Sequence, residues 1–470
     1  MSISTYEFLS ILQANRLEAD IAENTAKDYQ SVLEYVRTTI AQNNAEDLAA
    51  ALDDADAAVT LKTLIMKYTA EYLAGYDYDR DKLVERVYQD MAGLGLLTKY
   101  LHDPDVEEIN INGYRLVEIL RSDRTDFLYG QNTFSSPDAA LDIVKRMVRM
   151  GGKLLDAQTP QVDSFIGSGT RIAATIPPLI PKSYGVVASI RKQSKTIITR
   201  EMLLRSGTAS PDMLDFLSMC LCNHVSIGIS GGTGSGKSSL ESYLCNDYIE
   251  NNEDYNNRIY LVEDTQELKL LEHDEKNDRP ARVIPMLTSE TPVKKTMFDL
   301  TKGALRYHPS VIVPAEVRDE TVYQAVTAGQ SGHTIITSFH ADSARDSYRR
   351  LVSLCHMAGT NQSDEILLED CIGAWPIIVF LKQLKDNSRK IMEIFEATGQ
   401  KDGRVIGTSL YRFNIAETER NELGYVTKVH GMHERTGCIS PHLYSKLRDN
   451  GAPETMLKHL FPDAQDEEDI

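Results

Sequence analysis

An α/β fold is predicted, ordered as a helical N-terminal region, an α/β N-terminal domain and a phosphate-loop domain with a mainly parallel sheet. Three observations carry this. Apolar residues recur three and four apart from Thr5 to about Leu97, with few Gly or Pro; short β-type runs flank a helical stretch beyond Gly93; and strand, loop, helix and strand follow one another repeatedly from Val225 onward.

The length of 470 residues exceeds what one hydrophobic core usually serves, so two or three domains are expected. Apolar residues at 42% and charged residues at 25% match a soluble globular chain rather than a disordered or membrane-embedded one. The longest apolar run, Trp375 to Leu381, is too short to span a bilayer, and no basic start with an apolar core marks a secretory signal. A cytoplasmic location is expected. The balance of 50 basic against 69 acidic residues gives −19, which disfavours direct nucleic-acid binding. Six cysteines contain no CxxC pair, which argues against a four-thiolate zinc module and for reduced thiols.

Residues 1–92 read as the helical region, with the Ala- and Asp-rich stretch Ala45 to Ala58 as a mobile connection. Residues 93–195 read as the α/β domain: Glu108 to Asn112 and Leu116 to Leu120 are β-type, Pro137 to Met150 is helical, and Arg171 to Arg191 holds two strand-like runs around Pro177, Pro178 and Pro181. Residues 196–210 form a linker, polar and broken by Gly207. Ser210 as N-cap and Pro211 at the first helical position then open the domain at 211–460. Residues 461–470 read as a frayed acidic tail.

Val225 to Ser230 has the residues of a buried strand, and Ser238 to Ile249 continues at helical spacing. Between them Gly231, Gly232, Thr233, Gly234, Ser235, Gly236, Lys237 and Ser238 fit GxxxxGK(S/T), followed by Ser239. Glycines let the backbone wrap a polyphosphate and aim N–H groups and a helix N-terminus at its charge. Lys237 would reach the β and γ phosphates of ATP, and the Ser238 hydroxyl would ligate Mg²⁺. The strand-then-helix context disfavours the plainer alternative, a Gly-rich turn that only closes a strand–helix unit.

Hydrolysis needs carboxylates at the carboxyl ends of neighbouring strands. Arg258 to Val262 runs into Glu263-Asp264, and Val311 to Val313 runs through Pro314-Ala315 into Glu316. One carboxylate would orient or deprotonate water and the other hold the magnesium ion. Glu316 is assigned as base and Glu263 as helper or magnesium partner, with the two roles open to exchange. Either alone would as readily be a cap or a surface charge. His340 ends another β-type run on the same side, downstream of Gly332-His333, which favours contact with the γ-phosphate over an ordinary surface histidine.

The ordered set GGTGSGKS, YLVEDTQEL, ALRYHPSVIVPAEVRD and AGQSGHTIITSFHAD resembles the Walker A, Asp box, Walker B and His box of the secretion traffic ATPases. Upstream, residues 93–113, 156–163 and 169–193 look like the N-terminal domain of CpaF-like ATPases of the Tad-pilus and conjugation branch, and Asp386 to Gly399 fits that branch too. The resemblance covers about three quarters of the chain in one collinear order. It implies a RecA-like ATPase domain, ATP and Mg²⁺ as ligands, a hexameric homo-oligomer, and inner-membrane partners in a secretion or pilus machine at the cytoplasmic face. It implies Glu263 and Glu316 as the Asp-box and Walker-B glutamates, and His340 as the terminal His-box residue. Arg171 and Arg191 match two arginines that approach the phosphates when the domains close, as guanidinium forks can. Lys192 and the following break fit a hinge.

Ala315 stands where the family usually has Gly, and Pro314 is expected to end its strand early. The His-box spacing from His333 to His340 is closer to the pilus and type II secretion branch. Two alternatives to a secretion motor remain at this level: a nucleotide-binding structural subunit with little turnover, and a nucleic-acid-translocating ring ATPase.

Overall fold

The structure, a computed structural model, describes residues 29–466 apart from 45–46, 49–50, 52–54, 77, 92–93, 122–123, 167–168, 193–195, 253–256 and 290–292. The start of the region expected to be helical, part of the stretch Ala45 to Ala58 expected to be a connection, and residues 467–470 therefore lie outside the described residues. The chain divides into two compact units, Met1–Ser194 and Lys195–Ile470.

Among the described residues, unit 1 opens with α1 (Tyr29–Asn43), α2 (Ala55–Tyr72) and α3 (Arg80–Met91). Their one-turn spacing places Val32, Val36 and Ile40, Leu61 and Ile65, and Val84, Val87 and Met91 in one buried cluster. After α4 (Thr98–Leu101) come β1 (Val106–Asn112), β2 (Leu116–Arg121), β3 (Thr125–Tyr129), α5 (Pro137–Met150), β4 (Gln161–Ile166), β5 (Thr170–Thr175) and β6 (Val187–Arg191). They form an antiparallel sheet of order β3-β2-β1-β6-β5-β4. Ser136 caps α5 by accepting from the Ala139 N–H at 3.1 Å, and Ala140, Val144, Met147 and Val148 bury its inner face. Strands β3 and β4 were not marked in the sequence. Their two-residue alternation carries Thr, Asp, Gln and Ser among the apolar positions, which weakens the β signal.

Unit 2 opens with α6 (Arg200–Arg205), a helix inside the segment expected to be a plain linker. Thr199 caps its start, and Gly207, at φ +62°, ends it. The Gly207 and Thr208 N–H groups donate to the Leu204 and Leu203 carbonyls at 2.9 Å each, a helix stop that needs a left-handed residue. Ser210 caps α7 (Pro211–Cys222) as its sequence predicts.

The sheet of unit 2 is built from β7 (Ile227–Gly231), β8 (Ile259–Glu263), β11 (Val283–Leu287), β12 (Val311–Pro314), β13 (Thr334–Phe339), β14 (Ile377–Gln383), β15 (Arg389–Lys401), β16 (Arg404–Arg420) and β17 (Val426–Arg435), with a separate two-residue ladder of β9 (His273–Asp274) and β10 (Arg279–Pro280). Its order is β11-β8-β12-β13-β7-β14-β15-β16-β17. The pairs from β11 to β14 are parallel, and those from β14 to β17 are antiparallel. Both faces of the parallel part are buried. Ile227, Ile229, Ile259, Leu261, Val311 and Val313 pack with α7, α8 (Lys237–Asn251), α13 (Pro441–Asp449) and α14 (Glu454–Leu460). The intervening Tyr260, Val262, Ile312, Ile335 and Phe339 pack with α9 (Met297–Gly303), α10 (Thr321–Gln330), α11 (Ala344–His356) and α12 (Asp364–Ala374). Burial on both faces explains why these strands read as near-continuous apolar runs.

Two expectations are corrected. Strand β12 does not stop before Pro314: Pro314 pairs with Val262 of β8. The ladder to β13 lapses after Ile312, so the missing proline N–H costs no bond there, and the Thr337 hydroxyl donates to the Pro314 carbonyl at 2.5 Å. Nor does a free tail begin at 461. Phe461 is fully buried with its ring 5.2 Å from that of Phe216, and buried Asp466 accepts from the Ser445 hydroxyl at 2.6 Å.

Candidate functional site

The parallel strands bring the chemistry to one edge of the sheet. The phosphate loop leaves the carboxyl end of β7, Glu263 ends β8, Glu316 follows β12 by two residues and His340 follows β13 by one. Because β8, β12, β13 and β7 are successive neighbours, these groups lie in a row. His333 does not join them. It precedes β13, at the opposite end of the strand and about 20 Å away along it.

In the loop, Gly231, Gly234 and Gly236 have φ of +153°, +74° and +93°. A Cβ on Gly231 would stand 2.3 Å from the Leu381 carbonyl oxygen, so only glycine fits between the loop and β14. Gly232, Thr233 and Gly234 are exposed, Ser235 is buried with its hydroxyl donating to the Gly232 carbonyl at 2.8 Å, and Ser238 and Ser239 are half-buried at the helix start. Lys237 is buried, and its Nζ donates to the Gly231 and Gly232 carbonyls at 3.1 and 3.0 Å. The loop thus holds its own cation in place, with exposed glycines around it for an anion. A cavity of about 380 Å³ lies beside Gly231 and Gly232 and is also lined by His340 and by Arg349 and Arg350 of α11.

The two predicted glutamates sit in different surroundings. Glu263 is buried, and its Oε1 accepts the Glu267 and Leu268 N–H groups at 2.8 Å each. Burial pushes its carboxyl up to about 7, against the lowering effect of those two bonds. Glu316 is more open, with 38% of its side chain exposed, and its Oε1 lies 3.1 Å from His340 Nε2. An isolated parallel bridge from Glu316 to Ser338 fixes its backbone. Asp264 and Arg318 form an ion pair that straps the loop after β8 to the loop after β12, and Asp264 also accepts from the Thr288 hydroxyl at 3.0 Å. The arrangement can bind a triphosphate at the loop while an accessible carboxylate, held by an imidazole, takes a proton from water.

Sequence reasoning missed Glu241 on α8. It is fully buried, and among the described residues neither carboxyl oxygen has a partner in good hydrogen-bond geometry; the nearby Ser338 hydroxyl donates to the Ala315 carbonyl at 2.6 Å. Burial pushes this carboxyl well above the usual carboxylate range, against the lowering effect of the Ser338 hydroxyl, and the charges of Glu263 and Glu316 act in the same direction as burial. Its signal was a glutamate four residues after Lys237, on the same helix face as Cys245 and Tyr248.

Arg171 and Arg191 belong to unit 1. They are cross-strand partners in β5 and β6, on the face opposite the core. Arg171 Nε donates to Asp163 Oδ1 at 3.0 Å, and Arg191 is exposed beside Glu108 of β1 in register. The structure brings the two arginines to each other.

Residues 131–374, just over half of the chain, match the family described as Type II/IV secretion system protein. An uncharacterised protein of Methanocaldococcus jannaschii is 31% identical over 263 residues, 54% of this chain and 34% of the archaeal one. The chain thus spans about a third of that relative's length. The conjugal transfer protein TrbB of Rhizobium radiobacter is 24% identical over 235 residues, 50% of this chain and 66% of TrbB. The crystal structure of the VirB11 ATPase from the Brucella suis type IV secretion system, in complex with sulphate, aligns at 22% identity and a TM-score of 0.34, covering 64% of this chain and 92% of that one.

Proposed function

This chain belongs to the type II/IV secretion system protein family, and from that premise we propose that it is an ATP-hydrolysing motor for a secretion, conjugation or Tad-like pilus apparatus. One observation carries the enzymatic part: Lys237, Glu263 and the Glu316–His340 pair share one sheet edge with the glycine-lined loop. Lys237 and the Ser238 hydroxyl are the groups that would hold Mg²⁺-ATP, with Glu263, at the end of β8 on the same sheet edge, assigned as helper or magnesium partner. The ion would neutralise phosphate charge when bound. Glu316 takes the proton of the attacking water, and His340 holds the Glu316 carboxylate in place. Arg171 and Arg191 are assigned to contact phosphates when unit 1 closes over the nucleotide, and the working form is a hexameric ring with inner-membrane partners. Among the described residues no helix is long and apolar enough to cross a membrane.

Steady-state ATP hydrolysis by the purified full chain tests this reading. Hydrolysis that disappears in Lys237→Ala supports it. A chain that assembles and binds ATP without turning it over would point instead to a structural nucleotide-binding subunit.

A further inference from the structure

Arg389 and Lys390 are consecutive in β15, so their side chains leave opposite faces of the sheet. Arg389 Nε donates to the Gly234 carbonyl at 2.9 Å, and its Cδ lies 3.3 Å from the place of a Cβ on Gly236. Its stem and guanidinium therefore follow the outer wall of the phosphate loop. Lys390, 9% exposed, reaches the other way: its Nζ donates to the Ser206 carbonyl at 2.8 Å. The next backbone N–H, that of Ile391, donates to the Thr208 carbonyl at 2.9 Å.

Ser206 and Thr208 flank the glycine that ends α6, in the segment leading from unit 1 into unit 2. A Cβ on Gly207 would stand 3.0 Å from Lys390 Nζ, so this glycine serves both the left-handed turn and the close approach of the ammonium. An ammonium at a helix C-terminus meets carbonyls that lack an intrahelical partner, which favours this seat for it. The turn before β15 is braced as well. Asp386 accepts from the Ser388 N–H at 3.0 Å, the Ser388 hydroxyl at 2.7 Å and the Val429 N–H of β17 at 2.7 Å, while His433 Nε2 bonds the Ile391 carbonyl at 3.0 Å.

We propose that Arg389 and Lys390 are a positioning pair that couples the state of the phosphate loop to the segment 196–210. The proposal rests on the nucleotide-binding reading of the loop. When a polyphosphate draws the loop amides and Lys237 toward itself, the Gly234 peptide turns. Arg389, hydrogen-bonded to that peptide, shifts with it. Because the start of β15 is held on several sides, the shift passes one residue along to Lys390 and so to the carbonyl that ends α6. A chain of charge-assisted bonds through one rigid strand start is the kind of contiguous path that can link two sites.

The test is backbone hydrogen exchange of residues 199–208 in the full chain, with and without a saturating non-hydrolysable ATP analogue and Mg²⁺. Affinity for the same analogue is measured in parallel. In the unsubstituted chain the analogue should change exchange there by about threefold or more. Lys390→Met keeps the aliphatic stem and should still bind the analogue, but the exchange response should vanish. Lys390→Arg, which keeps a cation, should retain it. Arg389→Gln should lose the response from the other end, a second reading if Lys390→Met does not fold. An undiminished response in Lys390→Met or Arg389→Gln would overturn the coupling alone. Failure of the unsubstituted chain to bind the analogue would overturn the nucleotide reading beneath it.

Discussion

The two flanks of the phosphate loop are built differently. Toward β13, β12 and β8 every strand pair is parallel, both faces are buried, and the strand ends carry Glu316, His340 and Glu263. Toward β14 and β15 the sheet turns antiparallel, and the groups that reach the loop are Leu381, Gln383 and Arg389. In the proposed reading the first flank would supply carboxylates to bound ATP, while the second makes contacts to the loop's own backbone. On that reading one sheet would separate a bond-breaking side from the side proposed to sense whether the loop is filled.

The largest expected effect lies at the point both flanks share. Lys237→Ala should weaken ATP binding roughly 10- to 100-fold, since it removes charge-assisted bonds to phosphate. Titration with a fluorescent nucleotide checks it, and unchanged affinity would break the assignment of the loop. On the antiparallel flank, Arg389→Ala should cost less, about three- to tenfold in nucleotide affinity, because it loosens the loop without touching the ligand. A loss as large as that of Lys237→Ala would move Arg389 from a positioning group to a phosphate ligand.

The parallel flank has its own pH signature. The Glu263 carboxyl is raised from 4.5 to about 7 in the fold, so its neutral form contributes stability that is fully present below pH 4.5 and is lost as pH rises through about 7. Glu263→Gln should flatten this part of the stability profile, a change on the order of 3 kcal/mol across that window. Denaturant unfolding at pH 5 and pH 8 measures it, and an identical slope in both proteins would contradict the buried neutral carboxyl. The smallest effect is expected for Arg191→Ala. It should leave nucleotide affinity within about twofold, because the arginine is assigned to closure of unit 1 rather than to the loop. Solution scattering with and without nucleotide would report closure, and unchanged closure in the variant would count against the clamp.

The parallel flank was legible in the sequence because burial on both faces turns each strand into a run that leads into its candidate residue: Ile259 to Glu263, Val311 to Glu316, Thr334 to His340. The cap at Ser210 was legible for a similar reason, since a hydroxyl before a proline has a local meaning. What escaped depends on contacts distant in the chain. Glu241 reads as an ordinary helical glutamate until α8 is seen buried nearly all round. Arg389 meets Gly234 across 155 residues and Lys390 meets Ser206 across 184, and no periodicity marks such pairs. Pro314 misled because a general rule about central strands did not include the local lapse of the β12–β13 ladder.

The proposed mechanism requires Glu316 to be the base while Lys237 holds the nucleotide. The direct measurement is ATP binding and ATP hydrolysis by Glu316→Gln, made on the same preparation of the full chain. Binding should stay within about twofold of the unsubstituted protein while turnover falls roughly 100-fold or more, the range expected for loss of a general base. Retained turnover, or a loss of binding equal to that of Lys237→Ala, would contradict it.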